Sequence, residues 1–180
     1  EFLNNSEALC LFGTTDMSSF DDALEFRFKA DTTWADAHED DKAAVTRLWN
    51  WIDSCKDDPA KFLAEYNQYF GNDSPFAWYL ITDYFMAVDN RAKNMMLATW
   101  DSLIWYFLPY DMDTLFGVRN DSVLKYEYTI THESFDDSIG SYAFAGHDSV
   151  LWELVRSCPD KLREVAETLR SNMSLSLIHI

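Results

Sequence analysis

The chain has 180 residues, 31 acidic and 14 basic side chains and a formal charge of −17 at neutral pH, so its long-range field repels phosphate polymers and argues against nucleic-acid binding. With 48% apolar and 16% aromatic residues but only 5 glycines and 4 prolines, it has too much to bury for a disordered acidic tail, and one domain's length in which to bury it. Its apolar runs are short stretches such as Leu103 to Tyr110, far from the roughly 20 residues of a membrane span, so no bilayer crossing is expected.

From Asp40 to Asp53 the apolar residues Val45, Leu48, Trp49 and Ile52 recur at spacings of three and four, which predicts a core-facing helix with Asp41, Lys42 and Arg47 towards water. Trp49 and Trp51 on adjacent faces of that helix read as core and rim. Asp58-Pro59 then reads as an N-cap followed by proline at the first helical position, and Phe62, Tyr66 and Tyr69 or Phe70 continue the stripe as far as Gly71. Ser74-Pro75 repeats the punctuation. The third helix, about Phe76 to Ala87, is apolar nearly all round and is expected to be the central, most buried one.

After Asp89 the pattern changes. Met95 to Trp100 and Leu103 to Tyr110 are apolar runs parted by Asp101-Ser102, which predicts a β-hairpin with a two-residue turn. Val123 to Thr131 reads as a third strand, and two helices, about Ser149 to Ser157 and Asp160 to Ser171, follow. The expected architecture is one helix-rich α+β unit with an embedded hairpin. Cys10, Cys55 and Cys158 are an odd count without metal-like spacing and read as free or buried thiols, which leans towards a reducing compartment. No thiolate-activating neighbour accompanies Cys55 or Cys158, and the 4 histidines, His147 among them, show no zinc-binding spacing. The ends look cut: the chain opens at Glu1 without an initiator methionine, and Leu175 to Ile180 resembles one reading frame of a transposase adaptor used in library preparation. A metagenomic fragment is the expectation, with residues 175–180 adaptor-derived.

The stretch that could carry chemistry is Asp89-Asn90-Arg91-Ala92-Lys93-Asn94, the hairpin, and then Asp111-Met112-Asp113-Thr114-Leu115-Phe116-Gly117. An aspartate five residues before an asparagine, on a loop leaving a buried helix, has the phosphoryl-transfer spacing in which the first accepts a hydroxyl proton and the second binds Mg²⁺. The hairpin returns the chain to the same place, where Asp111 or Asp113 would supply a hard carboxylate ligand. Arg91 and Lys93, inside the first loop, either steady the carboxylates, reach a phosphate or pair with surface acids.

These residues resemble the CotH kinase-like family, atypical protein-kinase-fold proteins found in spore coats and, in related versions, among phage structural genes. Tyr84 to Asn94 is similar to the family's catalytic loop, Trp105 to Asp113 with Gly117 to its metal-binding strand and Asp-x-Asp, and Leu24 to Phe28 to its hinge segment. Gly140 to Trp152 is similar to a segment of the phage-associated branch. The resemblance implies the helix-rich C-terminal lobe of a protein-kinase-like fold over residues 24–174, with residues 1–23 a linker or remnant of the N-terminal lobe. It implies Asp89 as catalytic base, Asn94 as metal ligand, and Asp111 as principal Mg²⁺ ligand with Asp113 beside it. Two departures stand out: Asn90-Arg91-Ala92 occupies the place where relatives carry a histidine, and no glycine-rich phosphate loop or strand lysine is present.

The expected function of the full-length protein is Mg·ATP-dependent phosphoryl transfer to a protein hydroxyl. The 180 residues alone are expected to transfer nothing. The competing expectation is a non-catalytic virion or coat assembly protein with a kinase-like fold, its aromatic residues supplying core and interface. A third, weaker reading takes Asp111-Met112-Asp113 as a glycosyltransferase metal motif, but no strand–helix alternation surrounds it. Partners are a protein substrate or a neighbouring virion or coat protein, in the virion or the host cytoplasm; substrate and oligomeric state are not legible.

Overall fold

The computed structural model describes residues 2–4, 25–26, 32–33, 38–85, 87, 90, 96–110, 112, 115–117 and 150–178. Strands β1 (Phe2–Asn4), β2 (Glu25–Phe26) and β3 (Thr32–Thr33) precede helices α1 (Glu39–Cys55), α2 (Pro59–Glu65) and α3 (Ser74–Tyr84). Strands β4 (Met96–Thr99) and β5 (Trp105–Leu108) follow, and α4 (Val150–Arg156) and α5 (Pro159–Ile178) come last. The expected strand from Val123 to Thr131 lies outside the described residues.

Helix α1 starts where its chemistry favours it. His38 accepts the Asp40 amide at 3.3 Å, and Glu39, Asp40 and Asp41 lie in the first turn, against the positive end of the helix dipole. Ala44, Val45, Leu48, Trp49, Trp51, Ile52 and Cys55 are buried, the predicted stripe slightly widened to include both tryptophans. Arg47, expected to face water, instead donates to the carbonyls of Leu103 at 2.8 Å and Gln68 at 3.2 Å and lies 4.3 Å from the Tyr69 ring centroid. A guanidinium offers several fixed donors on a long apolar stem, so it can serve two carbonyls that a helix-face pattern does not reveal.

The α2 start matches its sequence signature: Asp58 accepts the Lys61 amide at 3.0 Å, with Pro59 at the first helical positions. For α3 the expected cap moves back one residue. Asp73, at φ 55°, occupies the N-cap without a side-chain capping bond, because its carboxylate is engaged by the Tyr66 hydroxyl and by Lys161 at 3.1 Å. Nor is α3 buried all round: Phe76, Trp78 and Thr82 are buried, whereas Tyr84 is 76% exposed.

The hairpin belongs to a five-stranded antiparallel sheet of order β3-β2-β1-β4-β5. Leu3 pairs with both Phe26 and Leu97, so the strand from residues 2–4 lies between β2 and β4. Thr99 pairs with Trp105, which makes the connection five residues long rather than two. Asp101 explains the difference: its carboxylate accepts the amides of Leu103 and Ile104, both at 2.9 Å, and Ser102 takes φ 61°. Those two backbone donors, Ile104 foremost, hold the Asp101 carboxyl below its ordinary pKa. On the far side of β5, Trp105 receives the Gly71 amide at 3.0 Å and gives its own to Tyr69 at 2.7 Å.

The core is aromatic. Trp49, Trp105, Trp152, Phe62, Phe70 and Phe76 are all fully buried, and Phe107 lies 5.7 Å from Phe70, 5.9 Å from Trp78 and 5.4 Å from Trp152 by ring centroids. The thiols of Cys55 and Cys158 are free and buried, and burial raises the pKa of both. Among the described residues no helix is long and apolar enough to cross a membrane.

Lys161 joins α5 to the start of α3. It contacts Asp73 at 3.1 Å and Glu164 at 2.8 Å, with its side chain 15% exposed. Burial works against its charge, but hydrogen bonds with Glu164, Asp73 and Tyr66 outweigh that and hold its pKa above the ordinary lysine value. Burial also raises the Tyr66 phenol, reinforced by its bond to Asp73. A raised folded-state pKa contributes stability that is complete below the unfolded value and vanishes as pH climbs through the folded one. We therefore expect the stability gap between wild type and a Lys161→Met, Tyr66→Phe double variant to stay constant to about pH 10 and to narrow above it. Denaturant titrations at pH 8 to 12 measure the gap; one that widens with alkali contradicts the assignment.

Candidate functional site

The candidate loop leaves α3, and the candidate metal-binding segment leaves β5. Three contacts join these two exits. First, the Trp78 ring of α3 stacks on Phe107 of β5 at an interplanar angle of 12°, while its indole N–H donates to the Asn90 carbonyl at 2.9 Å. Second, the Asn90 amide nitrogen donates to the Tyr110 carbonyl at 2.8 Å, with Asn90 wholly buried. Third, the Phe116 amide donates to the Phe85 carbonyl at 2.7 Å, and the two rings meet edge to face at 5.6 Å.

Local chemistry accounts for the first exit. Thr82, buried, returns its hydroxyl to the Trp78 carbonyl at 2.7 Å, and its own carbonyl accepts the Ala87 amide at 2.8 Å, which turns the chain off the helix axis. Ala87 is buried, and its carbonyl accepts the Asn90 amide at 3.2 Å, so residues 82, 87 and 90 form a short relay of backbone bonds. At the other exit Phe116 sits at φ 59°, a left-handed conformation that is costly for a bulky L-residue. Strain of this kind persists where surrounding contacts over-determine it, and here the amide bond and the ring contact to Phe85 do so.

The hairpin does return the chain to where it left: residue 90 meets residue 110 across 20 positions. Asp89, Arg91, Lys93, Asn94, Asp111 and Asp113, singled out from the sequence, lie outside the described residues. So does His147. Their sequence neighbours Asn90, Tyr110 and Met112 are described. Among the described residues no three His, Cys, Asp or Glu side chains gather in a way that could hold a metal. Asn94, Asp111 and Asp113 would offer only amide and carboxylate oxygens, a donor set suited to Mg²⁺ rather than to softer metals.

Pattern reading missed the residues that make the frame. Trp78 reads as one more apolar position of α3, and Asn90 as a loop residue beside a more conspicuous aspartate. The available signal was the neutral amide itself: an asparagine directly after the candidate base, next to an aromatic helix, in a chain whose loops otherwise favour carboxylates.

No curated protein and no solved structure matches the chain. A protein family does: the CotH kinase protein family matches residues 4–177. The match takes in the aromatic core, both exits and all but the final residue of the last helix, and with the α+β, helix-rich fold it makes this chain a member of the CotH kinase family, kinase-like at the level of the family.

Proposed function

We propose that this chain supplies the catalytic lobe of a Mg·ATP-dependent phosphotransferase acting on a protein hydroxyl. The observation that carries the reading is the Asn90 to Tyr110 hydrogen bond, which joins the residue after Asp89 to the residue before Asp111. Family membership supports the same class of chemistry.

In this reading Asp89 takes the proton of the substrate hydroxyl as that oxygen attacks the γ-phosphorus of ATP, the bond from that phosphorus to the β,γ-bridging oxygen breaks, and ADP leaves with the electron pair. Asn94, Asp111 and Asp113 would hold Mg²⁺, and Arg91 and Lys93 would face phosphate oxygens. When bound, Mg²⁺ neutralises charge on the phosphoryl oxygens. The chain's own net charge of −17 makes that neutralisation a requirement, since bare carboxylates would repel a nucleotide.

The test uses the protein at its full genomic length. Wild type is expected to transfer labelled γ-phosphate to protein in Mg²⁺, and Asp89→Ala and Asp111→Ala to lose transfer with circular dichroism unchanged. Wild type that binds no Mg·ATP yet assembles into a coat or virion particle would refute the enzymatic reading and leave an assembly role.

A further inference from the structure

We infer that Asn90 is a positioning residue, a clamp whose backbone carbonyl and side-chain amide couple the exit of α3 to the exit of β5. The inference rests on the phosphotransfer reading for its functional consequence, but the clamp itself stands on geometry. Asn90 is 0% exposed, a burial unusual for so polar a side chain unless its groups are used. Its backbone carbonyl and its side-chain nitrogen are both used, and by different elements. Its carbonyl takes the Trp78 indole N–H from α3 at 2.9 Å, and its side-chain amide gives to Tyr110, just beyond β5, at 2.8 Å. Neither partner lies near it in sequence, at 12 and 20 positions. A residue that only filled space would need neither bond.

The chemistry explains why asparagine suits the position. The acceptor is a backbone carbonyl, so the clamp needs a donor, and a carboxylate at residue 90 would present a lone pair to a lone pair. A leucine would fill the volume and leave the Tyr110 carbonyl to find another partner. In either case the bond between residues 90 and 110 is lost, and the contact of Phe116 with Phe85 is left to join the two exits.

Hydrogen exchange on the metal-free full-length protein tests the coupling without reference to catalysis. In Asn90→Asp and Asn90→Leu, the amides of Ala87 and Asn90 on one side and of Tyr110, Met112 and Phe116 on the other should all exchange at least tenfold faster while those of α1 and α2 keep their wild-type rates. Exchange that rises in one segment alone, in neither, or uniformly over the whole chain overturns the clamp. Under turnover the same variants should lose at least tenfold in kcat with KM for ATP within a factor of three. A fall confined to KM would also overturn it. If wild type proves inactive but both segments loosen together in the variants, the clamp holds and the phosphotransfer reading falls. If wild type is active and the segments exchange independently of residue 90, the clamp falls alone.

Discussion

Phe107→Ala should lose about 3–5 kcal/mol of unfolding free energy, the usual cost of emptying a large aromatic site in a packed core. The size follows from what surrounds the vacated volume. Phe107 is 8% exposed and lies against Phe70, Trp78 and Trp152, rings that come from the α2–α3 connection, α3 and α4. Planar side chains on three separate elements cannot close a gap by rotamer changes alone, so much of the cavity should remain. Urea unfolding with an unchanged m-value is the measurement. A loss below about 1 kcal/mol would mean that the neighbours collapse into the space. The variant should also weaken the site frame, because Trp78 would lose the surface on which it stacks while still having to reach Asn90.

Trp78→Phe should cost about 1–3 kcal/mol from the indole donor alone, with lost packing added to it. The indole N–H donates to a backbone carbonyl in a buried place, and phenylalanine offers that carbonyl nothing. The asymmetry between making a hydrogen bond and stranding its partner sets the magnitude. Guanidinium unfolding measures the loss. A change within half a kcal/mol would show that water or a neighbour takes over the Asn90 carbonyl.

Helices were legible in the sequence because their signals are local. The α1 stripe and the Asp58-Pro59 start of α2 are written within a few residues, and the structure has both. The hairpin strands were legible for the same reason. Its connection was not, because a carboxylate two and three residues upstream of the amides it binds replaces a tight turn with a five-residue one. The displaced cap of α3 was also illegible: Asp73 gives its carboxylate to Tyr66, seven residues back, and to Lys161 on the last helix. The site divides in the same way. Candidate acids could be picked out from spacing, but the bonds that bring the two exits together depend on Trp78, Asn90, Tyr110, Phe85 and Phe116 meeting through the fold.

The place of β1 in the sheet also sets an order of events on the ribosome. Leu3 leaves the ribosome far ahead of its partner Leu97, 94 residues later, so at roughly 5–20 residues per second it waits on the order of 5–20 s for that strand. During that interval α1, α2 and α3 are already complete and can begin to pack, whereas the centre of the sheet cannot form. Pairing of β1 with β4 therefore follows the synthesis of all three helices between them, and β1 carries an unpaired edge until β4 emerges.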